Sequence, residues 1–565
     1  MPCINFITGL ILSTFFVSVF ANNFGEENAS SSSHAESYRP PHVIVIIADD
    51  LGWNDVSFHG SNQIPTPNID ALVANGIALN RHYVQPTCTP SRTAFLTGRY
   101  PIRSGMQGFP LMAGERWGIP LGIHLLPHHL KNLGYTTRLV GKWHVGYYSV
   151  DHTPCHRGFD SFLGYYSGYI KYFDHTIRQN NETGQDLHRD CPNASKVVRN
   201  RRYFTNIVTE EVENIISHHD VENPLYLQIA HLAPHSGEPE NPVEVHDIHE
   251  VNAKFGYIKD IKRRKYAGMV ARLDFSVGRT IRALKNRGML ENSIIIFTAD
   301  NGAQTEGLHE NYGSNYPLRG LKFSMFDGGV RSSACIYSPL LKNVSRVSDE
   351  LMHITDWLPT IYSVAGGNVT DLGEIDGVNQ WPALRDGSAS PRNSLLLNID
   401  EVTEVAGGIF GKFKLLKGHQ NQYPDFYGNN SVADADDVPP YDPTSVLNSN
   451  AGRAIAGISN AFVTSEKIIE LRNRATISCR PFDQFVRCTN KCLFDLINDP
   501  CETVDISAKH PKIVERIEND FRRYNAVLMP QSKSEFDPAS SPRNFGGVWL
   551  PWVRSNSSTI VSSTG

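Results

Sequence analysis

Two uninterrupted apolar runs, each closed by a pair of oxygen-bearing side chains, limit the folds open to this chain. His42-Val-Ile-Val-Ile-Ile-Ala48 runs into Asp49-Asp50, and Ser293-Ile-Ile-Ile-Phe-Thr-Ala299 runs into Asp300-Asn301. A strand without polar alternation is buried on both faces, which is the habit of a parallel sheet covered by helices. Ahead of the second run, Tyr266, Met269, Val270, Leu273, Val277, Ile281 and Leu284 recur at helical spacing, so helix followed by strand reads as a crossover unit. A third run, Leu225-Tyr-Leu-Gln-Ile-Ala230, leads to His231 and His235. Open α/β sheets bind ligands beyond the carboxyl ends of their strands, so these three ends are expected to meet at one site.

Four hard oxygen donors, Asp49, Asp50, Asp300 and Asn301, suit Ca²⁺ or Mg²⁺ rather than a soft metal, although either pair alone could simply cap a helix. Lys142-Trp143-His144 sets a permanent cation beside an imidazole, a pairing able to hold an anion and move a proton. The stretch Gly134 to Lys142 superficially evokes a phosphate-binding loop, but Trp143 stands where a hydroxyl is needed and the glycine spacing is wrong. Cys88, followed by Arg92 at the start of an apolar helical segment, is a candidate low-pKa thiolate; a buried or bridged Cys is the plainer alternative. His231, and likewise His124, His128 and His129, read as packed or capping imidazoles rather than catalysts.

The uncharged run Phe6 to Ala21, ending in Val19-Phe20-Ala21, reads as a signal peptide over residues 1–21, with an uncleaved anchor as the competing reading. No later stretch is apolar enough to span a membrane, so no membrane span is expected in the mature chain. Seven Asn-x-Ser/Thr sequons, at Asn28, Asn181, Asn193, Asn343, Asn368, Asn429 and Asn556, agree with passage through the ER. Nine Cys residues become eight once Cys3 leaves with the signal, and an oxidising lumen would pair most of them. Cys155 with Cys191 is one plausible bridge, a bridge could clip Cys492 to Cys501, and Cys335 looks like a buried strand thiol. A four-Cys zinc site among Cys479, Cys488, Cys492 and Cys501 is the alternative, disfavoured by the absence of C-x₂-C spacing. A formal charge of −5, from 53 basic and 58 acidic residues, disfavours a nucleic-acid binder driven by global basic charge.

The expected organisation is a signal peptide over 1–21, a flexible Ser-rich lead-in over 22–40, a catalytic domain over 41–390 and a smaller domain over 391–565. The smaller part holds short strands near Asn393 to Asn398 and Phe413 to Leu416, a polar stretch from Asn421 to Asn450 that could border the site, and a helix from Pro511 to Leu528.

Cys88-x-Pro90-Ser91-Arg92 followed by Thr97-Gly98-Arg99, and Gly134-Tyr135-Thr136 through Gly141-Lys142-Trp143-His144-Val145-Gly146, resemble the two signatures of the sulfatase family. Ala233-Pro234-His235, Arg319-Gly320-Leu321-Lys322 and Gly328-Gly329-Val330-Arg331 fall in that family's order, and the resemblance spans residues 41 to about 375. Cys492-Leu-Phe-Asp-Leu and Gly547 to Trp552 look like animal arylsulfatase B relatives, a group that includes insect glucosinolate sulfatases. The resemblance implies an alkaline-phosphatase-like α/β fold with a small C-terminal antiparallel sheet, in a secreted or lysosomal sulfuric ester hydrolase acting on aryl, sugar or glucosinolate sulfates. It further implies that an ER formylglycine-generating enzyme oxidises Cys88, and that Asp49, Asp50, Asp300, Asn301 and the modified Cys88 hold one Ca²⁺ or Mg²⁺. In that scheme Arg92, Lys142 and Lys322 stabilise the reacting oxygens, His235 gives a proton to the leaving alcohol, and His144 takes one from the second hydroxyl of the hydrated aldehyde. A phosphatase of the same fold and a catalytically silent glycoprotein are the competing readings; the Cys in the signature argues against the first and the filled catalytic positions against the second.

Overall fold

The computed structural model describes residues 39–191, 196–420, 423–428, 437–458, 463–479, 484–531 and 533–554. The signal-peptide and lead-in expectations, and the sequons at Asn28, Asn193, Asn429 and Asn556, lie outside the described residues. Asn181, Asn343 and Asn368 are exposed.

The three apolar runs are strands, His42–Ala48, Leu225–Ala230 and Ser293–Ala299, and every residue in them is buried. They form the centre of a ten-stranded sheet. His42–Ala48 pairs in parallel with Ser293–Ala299 on one side and Leu225–Ala230 on the other, and the parallel series continues through Thr136–Lys142 to Ser161–Tyr165. Beyond Ser293–Ala299 the strand Ala334–Tyr337 turns antiparallel, so the sheet is mixed with a parallel heart. Cys335 sits in that strand as a buried free thiol, as its apolar setting suggested.

Crossover helices explain the parallel order. Phe204–His218 precedes Leu225–Ala230, and Ile261–Asn286 precedes Ser293–Ala299 with all seven residues of its expected apolar stripe buried. The Ile261–Asn286 helix starts at Asp260, whose carboxylate accepts from the backbone N–H groups of Lys262 and Arg263 and so satisfies two donors left open at the helix start. Each fully buried Leu, Ile or Val in this layer contributes about 1.5–3 kcal/mol of transfer free energy.

Ser394–Asp400, Val405–Phe410, Phe413–Lys417 and Lys491–Asp495 build a separate four-stranded antiparallel sheet. Alternate residues serve its two faces. Leu396, Leu415 and Leu493 pack under Val514, Ile517 and Phe521 of the helix Pro511–Asn525, whereas Leu397, Leu416 and Phe494 pack on Met325, Phe326 and Val330. The second face therefore rests on the segment that follows Lys322. Residues 443–458 and 463–475 go elsewhere: the Ala451 N–H bonds Asn68 Oδ1, and the Arg472 guanidinium bonds the Ser57 and Gly60 carbonyls beside the large sheet.

Cys155 is bridged to Cys191, as expected. The C-terminal cysteines pair otherwise than expected, Cys479 with Cys501 and Cys488 with Cys492. The strand Lys491–Asp495 explains the difference, because it commits Cys492 to the sheet beside Leu416, next to Cys488, while Cys501 reaches back to Cys479. These bridges occupy all four thiols of the alternative zinc site.

Candidate active site

Asp49 and Asp50 leave the end of the central strand, Asp300 and Asn301 leave its parallel neighbour, and all four are at most 1% exposed. The register sets Ala48 opposite Ala299, so both pairs emerge at the same level. Lys142 ends the strand two places away, and His235 follows the Leu225–Ala230 strand. Cys88 is the first residue of the helix Cys88–Thr97, 2% exposed, with Arg92 one turn on. Lys322 arrives on the loop after Asp300. Every site residue expected from the sequence is thus brought into one cluster, at the strand ends where the topology required it.

Three buried acids and three buried bases interlock there. Lys142 Nζ donates to Asp49 Oδ2 at 2.7 Å, and Lys322 Nζ to Asp50 Oδ2 at 2.8 Å. Arg92 donates through Nε and Nη2 to Asp300 Oδ2 at 3.1 and 2.7 Å, and lies 3.7 Å from Asp49 Oδ1. Burial pushes the Asp300 carboxyl up, and the Asp49 charge adds to that. The Asp300 and Asp49 charges hold Arg92 firmly protonated against its burial. Burial also pushes the Cys88 thiol up in spite of the opposing Lys142 and Lys322 charges, so the unmodified side chain is a protonated, poor nucleophile. The low-pKa thiolate considered from sequence is therefore not what this site makes.

Asp49, Cys88 and Asp300 offer ligand atoms within 4.8 Å of one another. Asp49 Oδ1 and Asn301 Oδ1 are buried without a hydrogen-bond partner, whereas the Asn301 amide donates to Asp50 Oδ1 at 2.6 Å and so aims its carbonyl oxygen away. Buried oxygens left unpaired are costly unless something positive meets them, and these residues fit a hard divalent cation. Asp49, Asp50 and His235 form a second such group, but Lys322 Nζ stands 3.4 Å from His235 Nε2 and excludes a cation from that nitrogen.

The two imidazoles are distinguished by their partners. His144 Nε2 donates to the Leu111 carbonyl at 2.7 Å, leaving Nδ1 unprotonated and unpartnered. His235 Nδ1 donates to the Ser236 carbonyl at 2.6 Å, leaving Nε2 to face Lys322 and, at 3.5 Å, Asp50 Oδ2. Burial first and the neighbouring lysines second push both rings well below the usual imidazole range. His231 is packed and 1% exposed, and burial takes it down to about 3, in keeping with a structural role. His124, His128 and His129 form a separate outer cluster of rings 5.4 and 6.0 Å apart.

Cys88, His144, His235 and Lys322 line one cleft of about 80 Å³. Sequence reasoning missed the rest of its wall, chiefly Phe109, Tyr169, His309 and Phe323. Only Phe323 had a signal, its place next to Lys322.

The Lys322 loop is fastened at both ends. The Arg319 guanidinium, fully buried, donates to the carbonyls of Pro424, Val486 and Glu502 at 2.5, 2.7 and 2.8 Å. On the other side the Asp327 N–H donates to Glu502 Oε2 at 2.6 Å, and Lys414 Nζ reaches Asp327 at 2.7 Å and Glu502 at 2.8 Å. In the polar stretch from 421 to 450, the described part bears on this loop through a 2.8 Å bond from the Gly320 N–H to the Asp425 carbonyl; residues 421–422 and 429–436 lie outside the described residues.

The sulfatase family pattern matches residues 41–367. Mouse arylsulfatase J is 36% identical over 520 residues, covering 91% of this chain and 80% of that protein. Human arylsulfatase A is 31% identical, covering 66% and 74%. Human N-acetylgalactosamine-6-sulfatase is 30% identical, covering 63% and 67%. The crystal structure of Ps i-CgsB superposes with a TM-score of 0.68 at 25% identity, covering 87% of this chain and 94% of that one. The fold is accordingly the alkaline-phosphatase-like one, with its large mixed sheet and small C-terminal antiparallel sheet. On the family match and these relatives together, the chain belongs to the sulfatase family, the sulfuric ester hydrolases.

Proposed function

We propose that this chain hydrolyses sulfate esters with a formylglycine made from Cys88 and one bound Ca²⁺ or Mg²⁺, within the secretory pathway or the lysosome. The observation that carries the reading is the placement of Cys88: a buried side chain at a helix start, between three acids and three bases. Asp49, Asp50, Asp300, Asn301 and the modified Cys88 would hold the cation, which when bound supplies Lewis-acid stabilisation of the transferring sulfuryl oxygens. The hydrated aldehyde would supply one oxygen to attack sulfur and a second hydroxyl through which sulfate is released. Arg92, Lys142 and Lys322 are fixed by their carboxylates before substrate arrives, so they stabilise developing charge without reorganising. His144 Nδ1, with its proton committed to the other nitrogen, is set to accept a proton from a hydroxyl at residue 88. His235 can deliver a proton only through Nε2, since its Nδ1 is committed to the Ser236 carbonyl.

The partners this reading requires are a small sulfated substrate and a formylglycine-generating enzyme that meets the chain before Cys88 is buried. The 36% identity to mouse arylsulfatase J and the 31% identity to human arylsulfatase A support an arylsulfatase subtype. The test is intact and peptide mass of protein from animal cells. The peptide spanning Cys88 should carry the aldehyde mass, and Cys88→Ser should lose multiple turnover. An active enzyme whose Cys88 is wholly alkylatable refutes the mechanism.

A further inference from the structure

His144 is held in a conformation that its own backbone disfavours. Its φ is 58°, a left-handed value that a residue bearing a Cβ keeps only where the surroundings impose it, often at functional sites. Its N–H donates to the Tyr166 carbonyl at 3.1 Å, and Gly168 lies so close against the ring that a Cβ there would meet Cε1 and Nε2 at 3.0 Å. These contacts confine the ring, but they do not decide which nitrogen bears the proton. The bond from Nε2 to the Leu111 carbonyl decides it, since a carbonyl can only accept.

Leu111 lies in a segment without helix or strand, so no regular structure holds that carbonyl in place. Two side chains hold it instead. The N–H of Met112, on the same peptide as the Leu111 carbonyl, donates to Glu115 Oε2 at 3.0 Å, and the N–H of Leu111 donates to the Thr89 hydroxyl at 3.1 Å. The same hydroxyl donates to the His144 carbonyl at 3.1 Å. The bonds close a circuit: His144 Nε2–H to the Leu111 carbonyl, the Leu111 N–H to Thr89 Oγ1, and the Thr89 O–H back to the carbonyl of His144. Thr89 is fully buried, so solvent does not compete for these bonds. A helical threonine commonly turns its hydroxyl back on the carbonyl four residues earlier, as Thr97 does to Thr93 at 2.7 Å. Thr89, in the first turn of the same helix and next to Cys88, directs both of its bonds to other segments.

We infer that Thr89 is a positioning residue for His144: its hydroxyl holds the ring with the proton on Nε2 and the bare Nδ1 left for the group at residue 88. This rests on the proposed role of His144 in releasing sulfate. In that step the second hydroxyl at residue 88 gives its proton to Nδ1, its O–H pair becomes the aldehyde C=O, and the C–O bond to sulfate breaks with its pair leaving on sulfate. Without the circuit the ring can swing on a single bond or move its proton to Nδ1, and either change removes the base from where it is needed.

Thr89→Val keeps the shape and removes the hydroxyl, whereas Thr89→Ser keeps the hydroxyl. Aldehyde content at residue 88 is read by peptide mass in each variant, and rates are taken per converted site. With 4-nitrophenyl sulfate, Thr89→Val should slow sulfate release, so that kcat and KM fall by the same factor of about 10 to 100 while kcat/KM, set by the preceding transfer, stays within about twofold. Sulfated enzyme should accumulate by mass, Thr89→Ser should regain most of the loss, and Thr89→Val should add nothing in a His144→Ala background. One readout needs neither aldehyde nor metal. In a Cys88→Ala chain with isotope-labelled histidine, the ring nitrogen shifts of His144, assigned by their loss in His144→Ala, should report Nε2–H with Thr89 and a mixture of tautomers with Thr89→Val. A fall in kcat at unchanged KM, an equal loss in Thr89→Ser, or an unaltered tautomer overturns the positioning role; Thr89→Ala repeats the measurements should Thr89→Val not fold. If the wild-type chain carries the aldehyde yet His144→Ala traps no sulfated enzyme, the role of His144 falls and that of Thr89 with it.

Discussion

Replacing Asp70 with Asn should remove one proton's worth of pH dependence from the stability of this fold. Asp70 is 2% exposed and is held by three hydroxyls, Ser57 at 2.8 Å, Thr66 at 2.9 Å and Tyr441 at 2.8 Å. Burial outweighs these bonds and raises its pKa from 3.8 to about 7. Between those values the folded state keeps a proton that the unfolded chain gives up, so the Asp70 contribution is fully present below pH 3.8 and lost as pH rises through about 7. From about pH 5 to about pH 8 the loss spans two pH units at ~1.4 kcal/mol each, or about 3 kcal/mol. Glu502, raised to about 7, and Asp274, raised to about 6, act in the same sense. His82 and His231, each lowered by burial to about 3, act in the opposite sense, so the wild-type profile is a sum. The difference between variant and wild type isolates Asp70. Asn can hydrogen-bond the same hydroxyls, since each can turn to donate or accept. Urea unfolding followed by Trp fluorescence at both pH values should show the variant gaining about 3 kcal/mol relative to wild type at the higher pH. Parallel pH profiles would refute the reasoning.

Two further outcomes follow from the catalytic cluster. Chelation should abolish turnover and Ca²⁺ or Mg²⁺ restore it, and Asp300→Ala should resist that rescue, also freeing Arg92 from its partner; an Asp300→Ala enzyme that works after metal stripping would show the acids to be structural only. His235→Ala should slow esters of weakly acidic sugar alcohols by ~10²- to 10⁴-fold while largely sparing nitrophenyl sulfate, whereas His144→Ala should slow every substrate and accumulate sulfated enzyme visible by mass; equal slowing of all esters without trapped sulfate would refute that division between the two rings.

Strands buried on both faces announce themselves, and so His42–Ala48 and Ser293–Ala299, with their terminal acids, could be read directly as the heart of the sheet. The helix Ile261–Asn286 was legible for the same reason, since one long apolar stripe has one explanation. Lys142 and His144 could be read from their own chemistry, whereas Arg92 and Lys322 came through motifs that resemble those of the sulfatase family. The cleft wall did not, because Phe109, Tyr169 and His309 belong to segments without regular period, and only the fold brings positions as far apart in sequence as Phe109 and Phe323 together. Arg319 is a similar case: its motif marked the position, but its grip on three distant carbonyls depends on where residues 424, 486 and 502 come to rest. The C-terminal disulfides were misread because local spacing favoured Cys492 with Cys501, while sheet pairing of Lys491–Asp495 decided otherwise.

The grip of Arg319 and Asp327 on Glu502 also fixes a biosynthetic order. Lys322 leaves the ribosome long before Glu502, yet the loop that carries it lacks its anchors until Lys414, Val486 and Glu502 have been made and the neighbouring Cys501 has found Cys479. Until those residues are present, Lys322 lacks the contacts that fasten its loop in the folded chain. The loop carrying Lys322 is therefore complete only in a chain made at least as far as Glu502.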